Sequence, residues 1–96
     1  MLAKRRVTGG KVRVSFSLPG ELDAEQVAVC GEFTDWEPTI AMKRSKTGEW
    51  KASVVLEAGR RYRFRYLLNG VRWENDPGAD DSEPNPYGGD DSVVQV

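Results

Sequence analysis

The sequence predicts an antiparallel β-sandwich. Apolar residues alternate with polar ones in runs of up to eight positions. Turn signals punctuate these runs every eight to twelve residues, about the spacing of sandwich strands. No window carries the period of an amphipathic helix. Six to eight strands are expected.

The first clear run is Lys11 to Leu18. Val12, Val14, Phe16 and Leu18 point one way, and Lys11, Arg13, Ser15 and Ser17 the other, until Pro19-Gly20 ends it. Residues 20–25 form a short polar connection. Residues 26–33 form a second strand with Val27, Val29, Gly31 and Phe33 on one face. From Thr34 to Thr39, with Pro38, the alternation breaks and releases Trp36 from it. Met42 to Arg44 pairs with residues 49–56 through Lys46-Thr47-Gly48. The returning strand puts Trp50, Ala52, Val54 and Leu56 on its core face. Ala58-Gly59 turns the chain again. Residues 61–68 alternate most clearly, with Tyr62, Phe64, Tyr66 and Leu68 inward and Arg61, Arg63, Arg65 and Leu67 outward. Asn69-Gly70 is a tight-hairpin signal, because both central residues of a type I′ turn need positive φ. Residues 75–91, rich in Asp, Pro, Gly and Asn, read as a loop ordered by contact, and Ser92 to Val96 as a last strand.

The 96 residues suffice for one domain with one core, placed at residues 10–96. Residues 1–9 read as a flexible basic tail, because no apolar segment follows Lys4-Arg5-Arg6. No apolar run has the length of a membrane span, and no membrane partner is expected. Cys30 is the only cysteine, so no internal disulfide forms, and a reducing, cytoplasmic setting is expected. Net charge is −1, but residues 1–73 hold all 14 Lys and Arg against 8 acids. Residues 74–96 hold 7 acids and no base. Either that segment is a solvated acidic loop, or it folds back over the arginines.

Enzymatic chemistry is disfavoured. Histidine is absent, which removes Ser-His-Asp and Cys-His nucleophile pairs and imidazole zinc sites. Cys30 sits within a strand and reads as an inert thiol. No phosphate-binding glycine loop occurs. Paired carboxylates can cleave glycosides, but Glu74, Asp76, Asp80, Asp81 and Glu83 fall in one Pro-rich stretch of a domain too small to desolvate them. Asp76, Asp80, Asp81 and Asp90 are oxygen donors of the kind calcium takes, yet their spacing matches no EF-hand loop. No metal, cofactor or catalytic residue is expected. Arg61, Arg63 and Arg65 form a basic stripe one strand wide. With near-neutral net charge and an acidic tail, nucleic acid is not the expected partner.

Each tryptophan can be read as core filling. Trp50 fits that reading, sharing parity with Ala52, Val54 and Leu56. Trp36 and Trp73 do not, because turn residues interrupt the alternation at both. A sugar ring offers a C–H face that an aromatic ring covers and a rim of hydroxyls that arginine or amide groups bond.

Val27-Ala28-Val29 leads into Gly31-Glu32-Phe33-Thr34-Asp35-Trp36, and Tyr62-Arg63-Phe64-Arg65-Tyr66 into Asn69-Gly70. Trp73, Asn75-Asp76-Pro77 and Asp91-Ser92-Val93-Val94-Gln95-Val96 follow. In this order and spacing the chain resembles carbohydrate-binding module family 48 over roughly residues 10–96. That family includes glycogen-binding domains and the early set domains that precede isoamylase and branching-enzyme barrels. The resemblance implies an immunoglobulin-like sandwich and affinity for α-1,4-linked glucan. By position, Trp36 and Trp73 resemble the two stacking rings. Arg65 falls where glycogen binders place a hydroxyl-bonding lysine, and Asn75 lies beside the second ring. Tyr87 and Asp91 fall in a late loop that closes over the sugar. The chain departs from the pattern by one extra hairpin residue before Trp73. Tyr87 also replaces an aliphatic residue, Gly89 a threonine and Asp91 an asparagine. The expected function is non-catalytic glucan binding. The alternative is an interaction domain that docks on a glycoside hydrolase family 13 type enzyme or another protein, its sugar site reduced or lost.

Overall fold

Alternation sets which side of each strand is buried. Val12, Val14, Phe16 and Leu18 are buried, while Lys11, Arg13 and Ser15 between them are exposed. The computed structural model describes residues 1–96 and contains ten strands in two antiparallel sheets that sandwich these apolar faces.

The first sheet runs β1 (Leu2–Val7), β2 (Lys11–Leu18), β6 (Trp50–Glu57), β5 (Lys43–Arg44). The second runs β4 (Ile40–Ala41), β3 (Val27–Gly31), β7 (Arg61–Leu68), β10 (Asp90–Gln95), β9 (Asp81–Pro84). The remaining strand, β8 (Arg72–Glu74), pairs with the second half of β7 beyond the end of β10. Phe16 from one sheet meets Phe64 and Tyr66 from the other edge-to-face, with centroids 5.2 and 6.3 Å away. Phe33 follows β3 in a 3-10 turn (Glu32–Thr34) and still packs on Phe16. Burying each such ring contributes about 1.5–3 kcal/mol. Trp50 is buried as expected; its indole N–H has no partner, and the Arg44 guanidinium lies 5.1 Å from the ring centroid.

Four expectations are corrected. Residues 1–9 are not a tail, because Leu2–Val7 is an edge strand paired along its whole length with β2. Gly9 and Gly10, at φ 81° and 70°, close the connecting loop. Register puts Lys4 and Arg6 opposite Val14 and Val12, on the inward side, so charge hides the alternation. Lys4 reaches the other sheet, where its Nζ lies 2.6 Å from Asp80. Inward charge of this kind also guards a sheet edge. Residues 75–91 are not all loop, because Asp81–Pro84 pairs with β10. Its composition is that of a turn, and neighbouring carboxylate–arginine pairs hold it. Leu67 lies on the outer face as expected but is only 9% exposed, with Ala28 and Trp73 as its cross-strand partners. The shortest pairings carry too few residues to show a period, which is why ten strands are found rather than six to eight.

Candidate functional site

The outer face of the second sheet is where the interrupted segments deliver their rings. Gly31 ends β3 where no side chain fits, since a Cβ there would sit 2.5 Å from the Arg63 carbonyl oxygen. The Thr34 hydroxyl then accepts from the Gly31 N–H at 3.0 Å and donates to the Gly31 carbonyl at 3.1 Å. That carbonyl also accepts from the Trp36 N–H at 2.9 Å. Asp35 and Trp36 both sit in left-handed backbone, at φ 53° and 61°. For a non-glycine residue this costs on the order of 1–2 kcal/mol. The result is that Trp36 is held 37% exposed beside the sheet.

Trp73 arrives through the hairpin. Asn69 and Gly70 have φ 53° and 71°, and the Val71 N–H donates to the Leu68 carbonyl at 3.1 Å. The Asn69 side-chain oxygen also accepts from the Glu25 and Gln26 N–H groups. Val71 is 81% exposed in the loop. Register therefore sets Trp73 opposite Leu67, on the same outer face as Arg63 and Arg65. The residue is 44% exposed.

Arg65 lines the same groove as the two indoles. Its guanidinium carbon is 5.9 Å from the Trp73 ring centroid, a cation–π contact. Its Nε donates to Asp91 Oδ1 at 2.8 Å, and Asn85 Nδ2 donates to the same oxygen at 3.1 Å. Asp91 Oδ2 lies 3.6 Å from Arg63, which also pairs with Glu83 at 3.0 Å. Arg61 pairs with Asp81 and Glu83. The acidic segment thus folds back over the arginines. The hydrogen bonds Arg61 donates to Asp81 and Glu83 push its guanidinium pKa up, and the one it gives Asp81 holds that carboxyl below its ordinary value.

Tyr87 stands on the loop after β9. The Asn85 side-chain oxygen accepts from the Tyr87 N–H at 2.9 Å and the Gly89 N–H at 3.2 Å. The Asn85 N–H donates to the Gly89 carbonyl at 2.8 Å. This closed loop holds Tyr87 91% exposed. Together the segments form a groove of about 770 Å³ walled by Trp36, Trp73 and Tyr87. Arg63, Arg65 and Asp91 also line it.

Five of the six expected residues meet there. The sixth, Asn75, does not line the groove. Its side-chain oxygen accepts from the Ser92 N–H and hydroxyl at 3.1 and 2.8 Å, and its amide donates to the Asp90 carbonyl at 2.8 Å. Its neighbour Asp76 is buried, accepting from Tyr66 Oη, the Gly78 N–H and the Met1 ammonium. Asn75-Asp76-Pro77 thus includes a polar staple between β8 and β10. Four groove residues were not expected: Glu32, Arg63, Asn85 and Pro86. Glu32 Oε1 accepts from the Arg63 N–H at 2.7 Å. The outward parity of Arg63 was a usable signal; Asn85-Pro86 offered only turn composition.

Cys30 lies under this face as the cross-strand partner of Arg65 and is fully buried. Burial first, and the charge of Glu37 second, push its thiol pKa up, so it is a poor nucleophile. The groove offers aromatic faces for C–H surfaces. It also offers the Arg65 Nη groups, which have no protein hydrogen-bond partner and can donate to hydroxyls.

The same architecture occurs in ferric enterobactin esterase from Salmonella typhimurium, with a TM-score of 0.77 at 16% identity. The likeness covers 99% of this chain and 34% of that one, so the chain spans about a third of the length of the enzyme it matches. No curated protein sequence matches the chain significantly. Residues 12–94 match the family described as the glycogen recognition site of AMP-activated protein kinase. That match takes in every strand but β1, together with every residue around the groove, and it makes this chain a member of that family.

Proposed function

We propose that the chain is a non-catalytic module that binds α-1,4-linked glucan, as glycogen, starch or a maltooligosaccharide. The observation that carries this reading is the grouping of Trp36, Trp73, Tyr87 and Arg65 around one groove, in a member of a glycogen-recognition family. Trp36 and Trp73 stack on the C–H faces of glucose units. Arg65 donates to ring hydroxyls, and Tyr87 closes over the chain. Asp91 and Asn85 hold Arg65 in place instead of touching sugar. Asn75 supports the base of the site through β10. A shallow, wet groove binds weakly, on the order of micromolar to millimolar.

Titration with maltoheptaose, followed by amide NMR and tryptophan fluorescence, tests this. Shifts are expected around residues 36, 65, 73 and 87, with quenching. Trp36→Ala and Trp73→Ala each weaken binding at least about tenfold. Unchanged affinity in both variants overturns the reading.

A second reading is favoured by one contact. Arg65 already gives its Nε to Asp91, which leaves fewer donors for sugar. The domain then serves to dock on a glycoside hydrolase family 13 type enzyme or another protein of glycogen metabolism. It predicts no response to maltoheptaose and co-elution with such an enzyme.

A further inference from the structure

The outer face of the first sheet carries charge of one sign in an unfavourable arrangement. Arg5 lies directly opposite Arg13, and Lys43 directly opposite Lys51. Like charges in such positions repel, because cross-strand Cβ atoms are only about 4.5–5.5 Å apart. All four side chains are exposed. The ion pairs of the molecule engage Lys4, Arg60, Arg61, Arg63, Arg65 and Arg72, and none of these four. The one carboxylate on this face within the strands is Glu57, which faces Lys11 and pairs with Arg60. Glu49, just before β6, turns its carboxylate to the Thr47 hydroxyl. On the other sheet, by contrast, β7 arginines 61, 63 and 65 are each matched to an acid.

Edge protection does not account for this. Cations guard edge strands, but β2 and β6 are the central strands of the sheet, and they carry Arg13 and Lys51. Between the two cation pairs runs a row of small side chains, Ala3, Ser15 and Ser53, at the floor of a shallow trough of about 410 Å³. Arg13 faces Val55, four residues along β6 from Lys51. Along the strand direction Arg13 and Lys51 are therefore about 13–14 Å apart, on adjacent strands.

We propose that this face docks an acidic segment of a partner protein, with carboxylates seated on the Arg5–Arg13 and Lys43–Lys51 pairs. An extended segment presents same-side carboxylates four residues apart at this spacing. The floor of small residues admits its backbone. Single-stranded nucleic acid is bound on aromatic stacking platforms, and interfacial membrane binding uses a large apolar face. The strands of this face carry no outward aromatic ring, and Val55 is the only exposed large apolar side chain within them. The inference is independent of sugar binding, which uses the opposite side of the molecule.

The test titrates the labelled full chain with a Glu-Ser repeat decapeptide, at about 20 mM and about 200 mM salt. Amide shifts are expected at residues 5, 13, 43 and 51, with affinity falling at the higher salt. Arg13→Glu with Lys51→Glu, or Arg13→Gln with Lys51→Gln, weakens peptide binding at least about tenfold, whereas Arg72→Glu on the other sheet leaves it unchanged. The maltoheptaose response persists in all of these variants. Shifts confined to the groove, undiminished peptide affinity in both double variants, or tighter binding of phosphatidylserine vesicles or an oligonucleotide overturns the proposal.

Discussion

Tyr66 couples the stability of this molecule to pH through one contact. Its hydroxyl donates to Asp76 at 2.6 Å inside the sandwich. Burial, then the hydrogen bond and charge of Asp76, push the phenol pKa far above its ordinary value of 10.0. Below that value both folded and unfolded chains keep the proton, and the contribution is complete. Above it the unfolded chain ionises and the folded chain does not, so stability falls as pH rises. Urea unfolding should therefore show a steep loss above about pH 10. Tyr66→Phe should flatten that loss, at a cost of about 1–3 kcal/mol at neutral pH from leaving the carboxylate short of a donor. Equal slopes for the two proteins would exclude this role. Asp35 and Trp36 illustrate the other use of a single residue. Their left-handed backbone is retained where it turns a ring toward a groove, as strained backbone often is at functional sites.

At the scale of strands, the charged side chains sort into two kinds. On β7, β9 and β10, arginines reach across to acids in ion pairs, and Arg63 joins the facing Asp91 and Glu83. On β1 and β2 and on β5 and β6, cations face cations. The second arrangement works against the sheet that carries it. Arg13→Gln should consequently stabilise the free protein by about 0.2–1 kcal/mol. The check is a higher urea midpoint with an unchanged m value, and a lower midpoint would contradict it. Strand legibility also divides by charge. Residues 11–18 and 61–68 are readable because their inward positions are apolar throughout. The first strand is not, because Lys4 and Arg6 occupy inward positions, and the ninth is not, because it is held by carboxylate–arginine pairs.

Across the whole molecule, the two outer faces lie on opposite sides of a body whose shortest extent is 21 Å. That distance is more than two Debye lengths at physiological ionic strength, about 8 Å each. A rigid, close-packed core separates them. The proposed sugar and peptide sites should therefore act independently. Saturating maltoheptaose should change the affinity for the acidic peptide by less than about twofold, measured by titration calorimetry; a larger change would reveal coupling through the core.

Sequence alone determined the sandwich, the inward faces of the long strands and the release of Trp36 and Trp73 from the core. Each of these follows from local chemistry: period-two alternation, a glycine that admits close approach, and an Asn-Gly turn. Tertiary structure decided what depends on partners distant in the chain. It took Asn75 away from the groove and tied it to Ser92 and Asp90, brought Asn85 and Asp91 to Arg65, and set Arg5 against Arg13. A side chain's role is fixed by which hydrogen-bonding and charged groups surround it, and strand register between segments far apart in sequence sets those neighbours.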